Sequence, residues 1–436
     1  MGDYDCKPID HPLDAVVALP GSKSLTNRAL IAASLADGNS ILKGILLAED
    51  TRLMIDALRQ LGVAVTVDQA ENVAEVSGCR GHLPASEADL FCGNSGTTIR
   101  FCAALCATGY GRFRLDGIER MRERPIGGLS DALRALGSRI EHEQRENHPP
   151  LIVHASGLHG GEVRFENPAS SQWVSAMLLA APYAGGDVLI DVRGQIPSVP
   201  YLKMTTHLMS RFGVSVIEQY EARRVRLIIA APQRYTPTNL SIEPDASTAT
   251  YFWAAAAVSG GCVTTRGIGP DSVQGDARFV GVLERMGCRI SHSPRGTTVS
   301  RPHTRDKLLG VDVDMGDMPD AAMTLAVVAL FAKGATTIRN ITNLRMKETD
   351  RLTALSTELR KLGATVEELP DGLRIIPPGT CHDNVSIATY NDHRMAMAFS
   401  LAGLRTAGLT IQNAACVEKT CPDFFSRFEQ VCRSSG

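Results

Sequence analysis

The sequence lacks the features that mark several large classes of protein. Its 45 lysines and arginines are matched by 47 acidic residues, which gives a formal net charge of −2. Nucleic-acid-binding proteins usually carry a basic excess, so this balance argues against such a role. One of the most apolar runs, residues 321–332, is too short to span a bilayer and contains Thr324. The first residues are polar and acidic, unlike a secretory signal or a transit peptide. We therefore expect a cytoplasmic protein with neither nucleic-acid nor membrane partners.

Motifs for disulfides, nucleotides and metals are also missing. The 11 cysteines form no C-x-x-C pair, and an odd number suits buried thiols in a reducing compartment. Cys102 and Cys106 lie four residues apart in an apolar run and are expected in a core. The segment GNSGTT lacks the Lys-Ser/Thr of a P-loop, and no G-x-G-x-x-G or H-E-x-x-H motif occurs. We expect no metal and no organic cofactor.

A short motif in which an apolar run ends at glycine occurs five times. The copies LRQLGVAV, LRALGSRI, MSRFGVSV, LERMGCRI and LRKLGATV place their glycines 75, 76, 74 and 76 residues apart. A helix that ends at a glycine of positive φ, followed by a β-strand, explains this pattern. The predicted helix ends are Gly62, Gly137, Gly213, Gly287 and Gly363.

A second pattern interleaves with the first. An Ala/Ser/Thr-rich helix, a glycine and a β-branched strand recur six times, at intervals of 73 to 75 residues. Each unit therefore reads as strand, helix, strand, helix and two strands. The first helix of each unit is apolar nearly all round, which predicts burial. The second helices carry charges on one face, for example Arg59 and Lys361, and are expected to lie outside.

Six such units divide naturally into two groups of three. The proline-containing segment 231–240 is the expected break, and a second crossing near Pro20 is expected if the N-terminal strand pairs with the other lobe. The sequence thus predicts an α/β (α+β) protein. Its first lobe is residues 21–238, and its second is residues 1–20 together with 239–436.

Polar and cationic residues recur where the helices begin. Serine, threonine and aspartate are ordinary N-caps, and capping alone would explain Ser24, Ser170, Ser247 or Thr349. Capping does not explain cations, which oppose the helix dipole at this end. If the repeated helices run parallel, their N-termini share one end, and the cations converge into an anion site. The cations are Lys23, Arg28, Arg124, Lys347, Arg351, Arg394 and Lys419.

Two carboxylates fall in the same predicted region. Asp320 and Glu348 are suited to act as a base or a proton relay beside Lys347. The simpler interpretation makes Asp320 an N-cap and Glu348 a first-turn acid favoured by the dipole. The residues alone leave these alternatives open.

The whole chain, from PGSKSLTNRA to EKTCPDFF, closely resembles the 5-enolpyruvylshikimate-3-phosphate synthase family. The motifs that carry the resemblance are GNSGTTIR, MRERPIG, ASSQWVSAMLLAAP, SVPYLKMT, MPDAAMTLA, NLRMKETDRL and YNDHRMAMAFS. The resemblance implies a two-lobed inside-out α/β barrel of six βαβαββ repeats, three in each lobe. It also implies an active site in the cleft between the lobes, a monomer, and no cofactor.

The family's reaction, a step of the shikimate pathway to aromatic amino acids, transfers the enolpyruvyl group of phosphoenolpyruvate to the 5-hydroxyl of shikimate 3-phosphate. By the resemblance, shikimate 3-phosphate meets Lys23, Ser24, Arg28, Ser170, Ser171, Gln172, Ser198, Asp320, Asn343 and Lys347. Phosphoenolpyruvate meets Lys23, Gly96, Arg124, Gln172, Arg351, Arg394 and Lys419. Asp320 accepts the proton of the 5-hydroxyl, and Glu348 moves protons at C3 beside Lys347. Tyr201 and Asn94 are secondary contacts.

Two positions depart from the family pattern. Phe101 and Ile126 replace the commoner Pro and Met or Leu, which puts sensitivity to the family's inhibitor glyphosate in doubt.

Three other functions are alternatives to this one. The sister UDP-N-acetylglucosamine enolpyruvyl transferase has Lys-Asn at the position of Lys23-Ser24 and a loop cysteine at the position of Glu119. An RNA 3′-phosphate cyclase would need ATP and a histidine nucleophile. A non-catalytic scaffold would not need carboxylates beside the cations.

Overall fold

The computed structural model describes residues 2–302 and 308–434. Helices and short strands alternate along the chain, as the repeat predicts. The helices in these ranges are α1 (Lys23–Leu35), α2 (Glu49–Gln60), α3 (Gly96–Ala107), α4 (Glu119–Arg122), α5 (Gly127–Ala135), α6 (Ser171–Ala180), α7 (Val199–Arg211), α8 (Ala246–Ser259), α9 (Phe279–Arg285), α10 (Ala321–Val328), α11 (Arg351–Lys361), α12 (His393–Phe399) and α13 (Phe424–Arg433). Short 3₁₀ helices include Gly275–Arg278, Thr342–Met346 and Ala414–Lys419.

The strands of the first half of the chain are mostly of five to seven residues. They are β1 (Tyr4–Asp5), β2 (Leu13–Val17), β3 (Asn39–Lys43), β4 (Ala64–Asp68), β5 (Val73–Ser77), β6 (Glu87–Phe91), β7 (Tyr110–Asp116), β8 (Arg139–His142), β9 (Leu151–Ser156), β10 (Gly161–Glu166), β11 (Val188–Arg193), β12 (Ile217–Glu221) and β13 (Arg224–Ile229). Those of the second half are β14 (Asn239–Ser241), β15 (Gly261–Arg266), β16 (Arg289–Ser293), β17 (Gly296–Arg301), β18 (Leu308–Leu309), β19 (Asp312–Asp314), β20 (Ala332–Lys333), β21 (Thr336–Arg339), β22 (Thr365–Leu369), β23 (Gly372–Ile376), β24 (Ser386–Ile387) and β25 (Thr410–Ile411).

Within residues 2–302 and 308–434, five four-stranded sheets repeat one topology. In the order β6-β7-β9-β8, the first pair is parallel and the other two pairs are antiparallel. The sheets β10-β11-β13-β12, β19-β21-β23-β22, β14-β3-β5-β4 and β2-β15-β17-β16 follow the same rule. A sixth sheet, β24-β25-β1, keeps the parallel pair and takes an antiparallel strand from the N-terminal segment. This pattern agrees with the predicted repeat of strand, helix, strand, helix and two strands.

The chain forms two compact units, Gly21–Ile242 and Met1–Pro20 with Glu243–Gly436. In each unit, the first four-stranded sheet takes its parallel edge strand from a distant part of the chain. Strand β14 pairs in parallel with β3 in the first unit, and β2 pairs in parallel with β15 in the second. The predicted boundary after residue 238 is therefore slightly early, because residues 239–241 complete the first sheet of the first unit.

The helix ends follow the glycine pattern. The five predicted glycines have φ values of +85°, +96°, +81°, +104° and +91°, a conformation in which a Cβ is unfavourable. In α2, the amide of Val63 donates to the carbonyl of Leu58 and that of Gly62 to Arg59, which is a Schellman closure. The same pair of bonds recurs at the other four helix ends.

The first helices of the repeats form the cores. Every residue of α3 and of α8 is buried, including Cys102 and Cys106 as predicted. The second helices expose one face, on which Arg59 and Lys361 lie. Apolar helices buried in this way hold the polar residues at their N-termini in fixed positions. No helix in the described ranges is long and apolar enough to cross a bilayer.

Candidate active site

Lys23 is the first residue of α1 and pairs with an acid at the start of α2. Its Nζ lies 2.9 Å from Oδ2 of Asp50, whose side chain is nearly buried. The N-cap of α1 is Ser22, whose hydroxyl accepts from the amide of Leu25. Ser24 is thus left outside the capping bond, and the prediction that capping explains Ser24 is wrong. Lys23 and Ser24 are both partly accessible.

Arg28 is a buried cation, and its partners among the described residues are neutral. Its Nε donates to Oγ1 of Thr205 at 2.8 Å, and its Nη2 donates to Oγ of Ser175 at 3.2 Å. The aromatic rings of Phe101 and Tyr201 lie 5.2 and 5.7 Å from the guanidinium carbon. Burial lowers the pKa of Arg28 to about 10. No carboxylate of residues 2–302 or 308–434 forms an ion pair with it, so an anionic ligand would supply the missing countercharge.

A second cluster surrounds the start of α3. Nη1 of Arg124 donates to the backbone oxygen of Asn94 at 3.0 Å and to its Oδ1 at 3.1 Å. Nη1 of Arg100 donates to Oε1 of Gln172 at 2.8 Å. Gly96 lies between the two arginines, and a Cβ on it would come within 2.5 Å of a nitrogen of each. A side chain at this position would therefore displace both guanidinium groups.

The serines assigned to the same unit lie at two helix starts. Ser170 caps α6, where its hydroxyl accepts from the amide of Gln172 at 3.2 Å, and Ser171 is the first residue of that helix. Ser198 precedes α7 in the left-handed conformation, at φ +58°. The side chain of Ser198 makes no cap bond, so capping does not account for it.

In the other unit, Arg351 gathers three carboxylates. Its Nη1 lies 2.9 Å from Asp320, its Nη2 lies 2.9 Å from Glu348, and its Nε lies 2.7 Å from Asp392. The three partners come from the starts of α10, α11 and α12. Coulombic attraction to them raises the pKa of Arg351, against the opposing effect of burial. The guanidinium therefore ties three helix starts together.

Asp320 is held between two arginines. Its Oδ2 accepts from Nη2 of Arg394 at 2.8 Å, while its other oxygen accepts from Arg351. Asp320 precedes α10, yet its side chain makes no cap hydrogen bond. Glu348 precedes Asp350, the cap of α11, so it lies before the first turn. Neither capping nor a first-turn position thus accounts for these two acids.

Two further expectations about caps, those for Ser247 and Thr349, are wrong because a neighbouring aspartate caps the helix. Asp245, and not Ser247, caps α8, and Asp350, and not Thr349, caps α11. The capping aspartate lies two positions before Ser247 in α8 and one position after Thr349 in α11. Ser247 instead hydrogen-bonds Oδ2 of Asp276. Burial and the charge of Asp320 raise the pKa of Asp276 to about 7.

The remaining predicted residues of this unit lie on short 3₁₀ helices or next to them. Asn343 lies within Thr342–Met346, Lys347 follows that helix, and Lys419 is the last residue of Ala414–Lys419. Lys419 is buried, whereas Asn343 and Lys347 are partly accessible. The unit therefore places Asp320, Glu348, Arg351 and Arg394 in one hydrogen-bonded network, while Asn343, Lys347 and Lys419 lie in or beside the two 3₁₀ helices.

Comparison with known proteins gives a family for the chain. Residues 8–428 match the family model of EPSP synthase (3-phosphoshikimate 1-carboxyvinyltransferase). The chain is 45% identical over 432 residues to the 3-phosphoshikimate 1-carboxyvinyltransferase of Nostoc punctiforme, with 99% of each chain covered. It is 46% identical over 435 residues to the chloroplastic enzyme of the same name from Arabidopsis thaliana, with 97% of this chain and 83% of that one covered.

The chain belongs to the EPSP synthase family. The resemblance stated from the motifs is thereby confirmed, as is the transferase class. A solved EPSP synthase from Acinetobacter baumannii superposes with a TM-score of 0.80 at 24% identity and covers 99% of this chain and 98% of that one. At this identity the match concerns the fold alone, and it agrees with the predicted mixed α/β architecture.

Several charged residues that bond to side chains at the helix starts were not predicted from the sequence. Arg100 lies within GNSGTTIR, one helical turn after Gly96, and its spacing was the available signal. Asp392 lies within YNDHRMAMAFS, and its side chain binds Arg351 and caps α12. Asp50 and Asp276 begin second helices, where acids are common, so nothing local distinguishes them.

The described residues contain no candidate metal centre. No group of three or more histidine, cysteine, aspartate or glutamate side chains in residues 2–302 and 308–434 is arranged to hold an ion. All 11 cysteines are free thiols, and burial raises the pKa of Cys102 to about 12.

Proposed function

We propose that the chain transfers the carboxyvinyl group of phosphoenolpyruvate to the 5-hydroxyl of shikimate 3-phosphate, forming 5-enolpyruvylshikimate 3-phosphate and phosphate. The observation that carries the proposal is the position of Asp320, whose two oxygens accept from Arg351 and Arg394 at 2.9 and 2.8 Å. A potential proton acceptor thus lies against two cations that can bind an anionic co-substrate. Membership of the EPSP synthase family supports the choice of substrates.

For shikimate 3-phosphate, the proposal rests on residues of the first unit and on the acids and amides of the second. Arg28 is a buried cation with neutral partners and suits the phosphate or the carboxylate of this ligand. Hydroxyls at the starts of α6 and α7 add donors. The proposed contacts are Lys23, Ser24, Arg28, Ser170, Ser171, Gln172, Ser198, Asp320, Asn343 and Lys347.

For phosphoenolpyruvate, the proposal rests on arginine forks. Arg124 is buried and fixed by two bonds to Asn94, and its guanidinium has the geometry that suits phosphate oxygens. In the second unit, Arg351 and Arg394 give up part of their hydrogen bonding to Asp320 and donate to the ligand instead. The proposed contacts are Lys23, Gly96, Arg124, Gln172, Arg351, Arg394 and Lys419.

The proposed chemistry consists of addition and elimination. The oxygen of the 5-hydroxyl forms a bond to C2 of phosphoenolpyruvate while C3 takes a proton, and Asp320 accepts the hydroxyl proton. The C2–O bond to phosphate then breaks as C3 loses a proton, and phosphate leaves. Glu348, beside Lys347 and bound to Arg351, is the proposed carrier of protons at C3. Fixed cations around the tetrahedral intermediate stabilise its charge without reorganisation.

One assay tests this proposal. Phosphate release from phosphoenolpyruvate is followed with and without shikimate 3-phosphate, for the wild type and for Asp320→Ala. Release that depends on shikimate 3-phosphate and is lost in the folded variant is the expected result. Release with UDP-N-acetylglucosamine as acceptor, or release unaffected by Asp320→Ala, would contradict the proposal. Unfolding by urea checks that the variant remains folded.

Three further properties are part of the proposal. We expect glyphosate to inhibit in competition with phosphoenolpyruvate, because both are small anions that require space beside Gly96. We expect a monomer, to be checked by sedimentation, and a cytoplasmic location, which is supported by 11 free thiols.

A further inference from the structure

A buried carboxylate outside the proposed site organises the start of α12. Glu358 lies on α11, about two turns after Arg351, and is fully buried. Its Oε1 accepts from the hydroxyl of Tyr390 at 2.8 Å. Its Oε2 accepts from the amide of Ala388 at 3.1 Å and from Nζ of Lys361 at 2.6 Å. Both oxygens are therefore used, and two of the three donors belong to one segment.

That segment has an unfavourable backbone conformation. Tyr390 and Asn391 are consecutive residues of positive φ, at +53° and +54°, and neither is glycine. Such a pair persists only where surrounding contacts impose it. The bonds from Glu358 hold the first residue of the pair, and Oδ1 of Asn391 accepts from Nδ2 of Asn413 at 3.3 Å. The segment is thus fastened on two sides.

The fastened segment leads directly to charged residues of the site. Asp392 follows it, caps α12 and binds Arg351, and Arg394 is the second residue of that helix. Asn413, on the other side, is the residue before the 3₁₀ helix that ends at Lys419. The positions of Arg351, Arg394 and Lys419 therefore all depend on elements joined at Tyr390 and Asn391.

We propose that Glu358 is a positioning residue that sets these three cations for phosphoenolpyruvate. The inference rests on the proposed function, because it assumes that the three cations bind this ligand. Removing Glu358 frees the hydroxyl of Tyr390 and the amide of Ala388, and the left-handed pair then relaxes toward ordinary conformations. Arg394 and Asp392 move with it, while the residues of the first unit stay in place.

Three variants separate positioning from packing. Glu358→Ala removes both acceptors, while Glu358→Gln keeps the size and can still bond Ala388 and Tyr390. Lys361→Met is the matched control. It removes the third donor to Glu358, the half-exposed side chain of Lys361, and leaves Ala388 and Tyr390 bonded to Glu358. For Glu358→Ala we expect the KM for phosphoenolpyruvate to rise roughly ten- to hundred-fold, since small misplacements of binding groups have effects of this order. The KM for shikimate 3-phosphate should change less than about three-fold, and Glu358→Gln should recover most of the loss.

Hydrogen exchange supplies a measurement that does not depend on turnover. Amides of residues 388–395 should exchange faster in Glu358→Ala than in the wild type or in Lys361→Met. Equal rises in both KM values, no rise in either, or an identical loss in Glu358→Gln would overturn the positioning role. If the wild type shows no turnover while the exchange differs as expected, the proposed function fails and the structural link stands. If the wild type turns over and exchange is unchanged, the link fails.

Discussion

The replacement Gly96→Ala tests the cluster at the start of α3. A Cβ at this position lies 2.5 Å from Nη1 of Arg100 and from Nη2 of Arg124, and 3.0 Å from Cζ of Arg124. These atoms are the ends of flexible side chains, so the guanidinium groups move and the backbone does not. We expect Arg124 to lose its alignment with the phosphate of phosphoenolpyruvate.

The size of the effect follows from the bond that is lost. A hydrogen bond to a charged group is worth about 1.5–3 kcal/mol. Loss of one such bond corresponds to a rise of roughly 10- to 150-fold in the KM for phosphoenolpyruvate, since about 1.4 kcal/mol is a factor of ten. Stability should not fall, because alanine is more favourable than glycine in a helix by about 1 kcal/mol. The KM for shikimate 3-phosphate should rise less, because Arg124 is not among its contacts and the cluster is linked to them through the bond from Arg100 to Gln172.

Gly281→Ala in α9 is the matched control. A Cβ there meets no atom within 4 Å, so the change adds helix propensity without displacing a side chain. We expect both KM values to remain at wild-type levels and the free energy of unfolding to rise by about 0.5–1 kcal/mol. Steady-state phosphate release and urea unfolding give these quantities for both variants. A folded Gly96→Ala protein with an unchanged KM for phosphoenolpyruvate would refute the reasoning.

Two other predictions concern buried acids. Lys23→Met should abolish phosphate release and also destabilise the fold, because Asp50 loses its partner. Adding Asp50→Asn should restore the urea midpoint but not the activity. Restored activity in the double variant would show that Lys23 is not a residue of the site. For Asp276, the folded pKa of about 7 exceeds the unfolded value, so the proton stabilises the fold at acidic pH and this contribution is lost as the pH rises through 7. The free energy of unfolding of Asp276→Asn should therefore rise relative to that of the wild type between about pH 5 and pH 8, as measured by urea unfolding at both pH values. If the two proteins differ by the same free energy of unfolding at both pH values, Asp276 stays ionised throughout.

Much of the fold was predictable because its signals are local. A glycine after an apolar helix predicts a Schellman closure, and the five examples close in that way. Alanine-rich runs predict buried helices, as α3 and α8 are. The strands supplied by residues 239–241 and by Leu13–Val17 were harder to place, because pairing between distant segments leaves no periodic signal in either.

The candidate site was predictable only in part. Cations opposing a helix dipole are unusual, so Lys23, Arg351 and Arg394 could be selected from their positions. Which acid binds which cation could not. Asp392 binds Arg351 only because α11 and α12 start near one another.

The sequence by itself determined the repeated unit, the helix ends and the kinds of side chain at each helix start, since these depend on hydrogen bonding and burial within a few residues. The tertiary structure alone decided that one guanidinium binds Asp320, Glu348 and Asp392. It also decided that Arg28 is buried against neutral side chains in the described part of the chain. The physical reason is distance along the chain: ion pairs and buried charges depend on residues from different repeats, and their contacts exist only when the sheets and helices have packed.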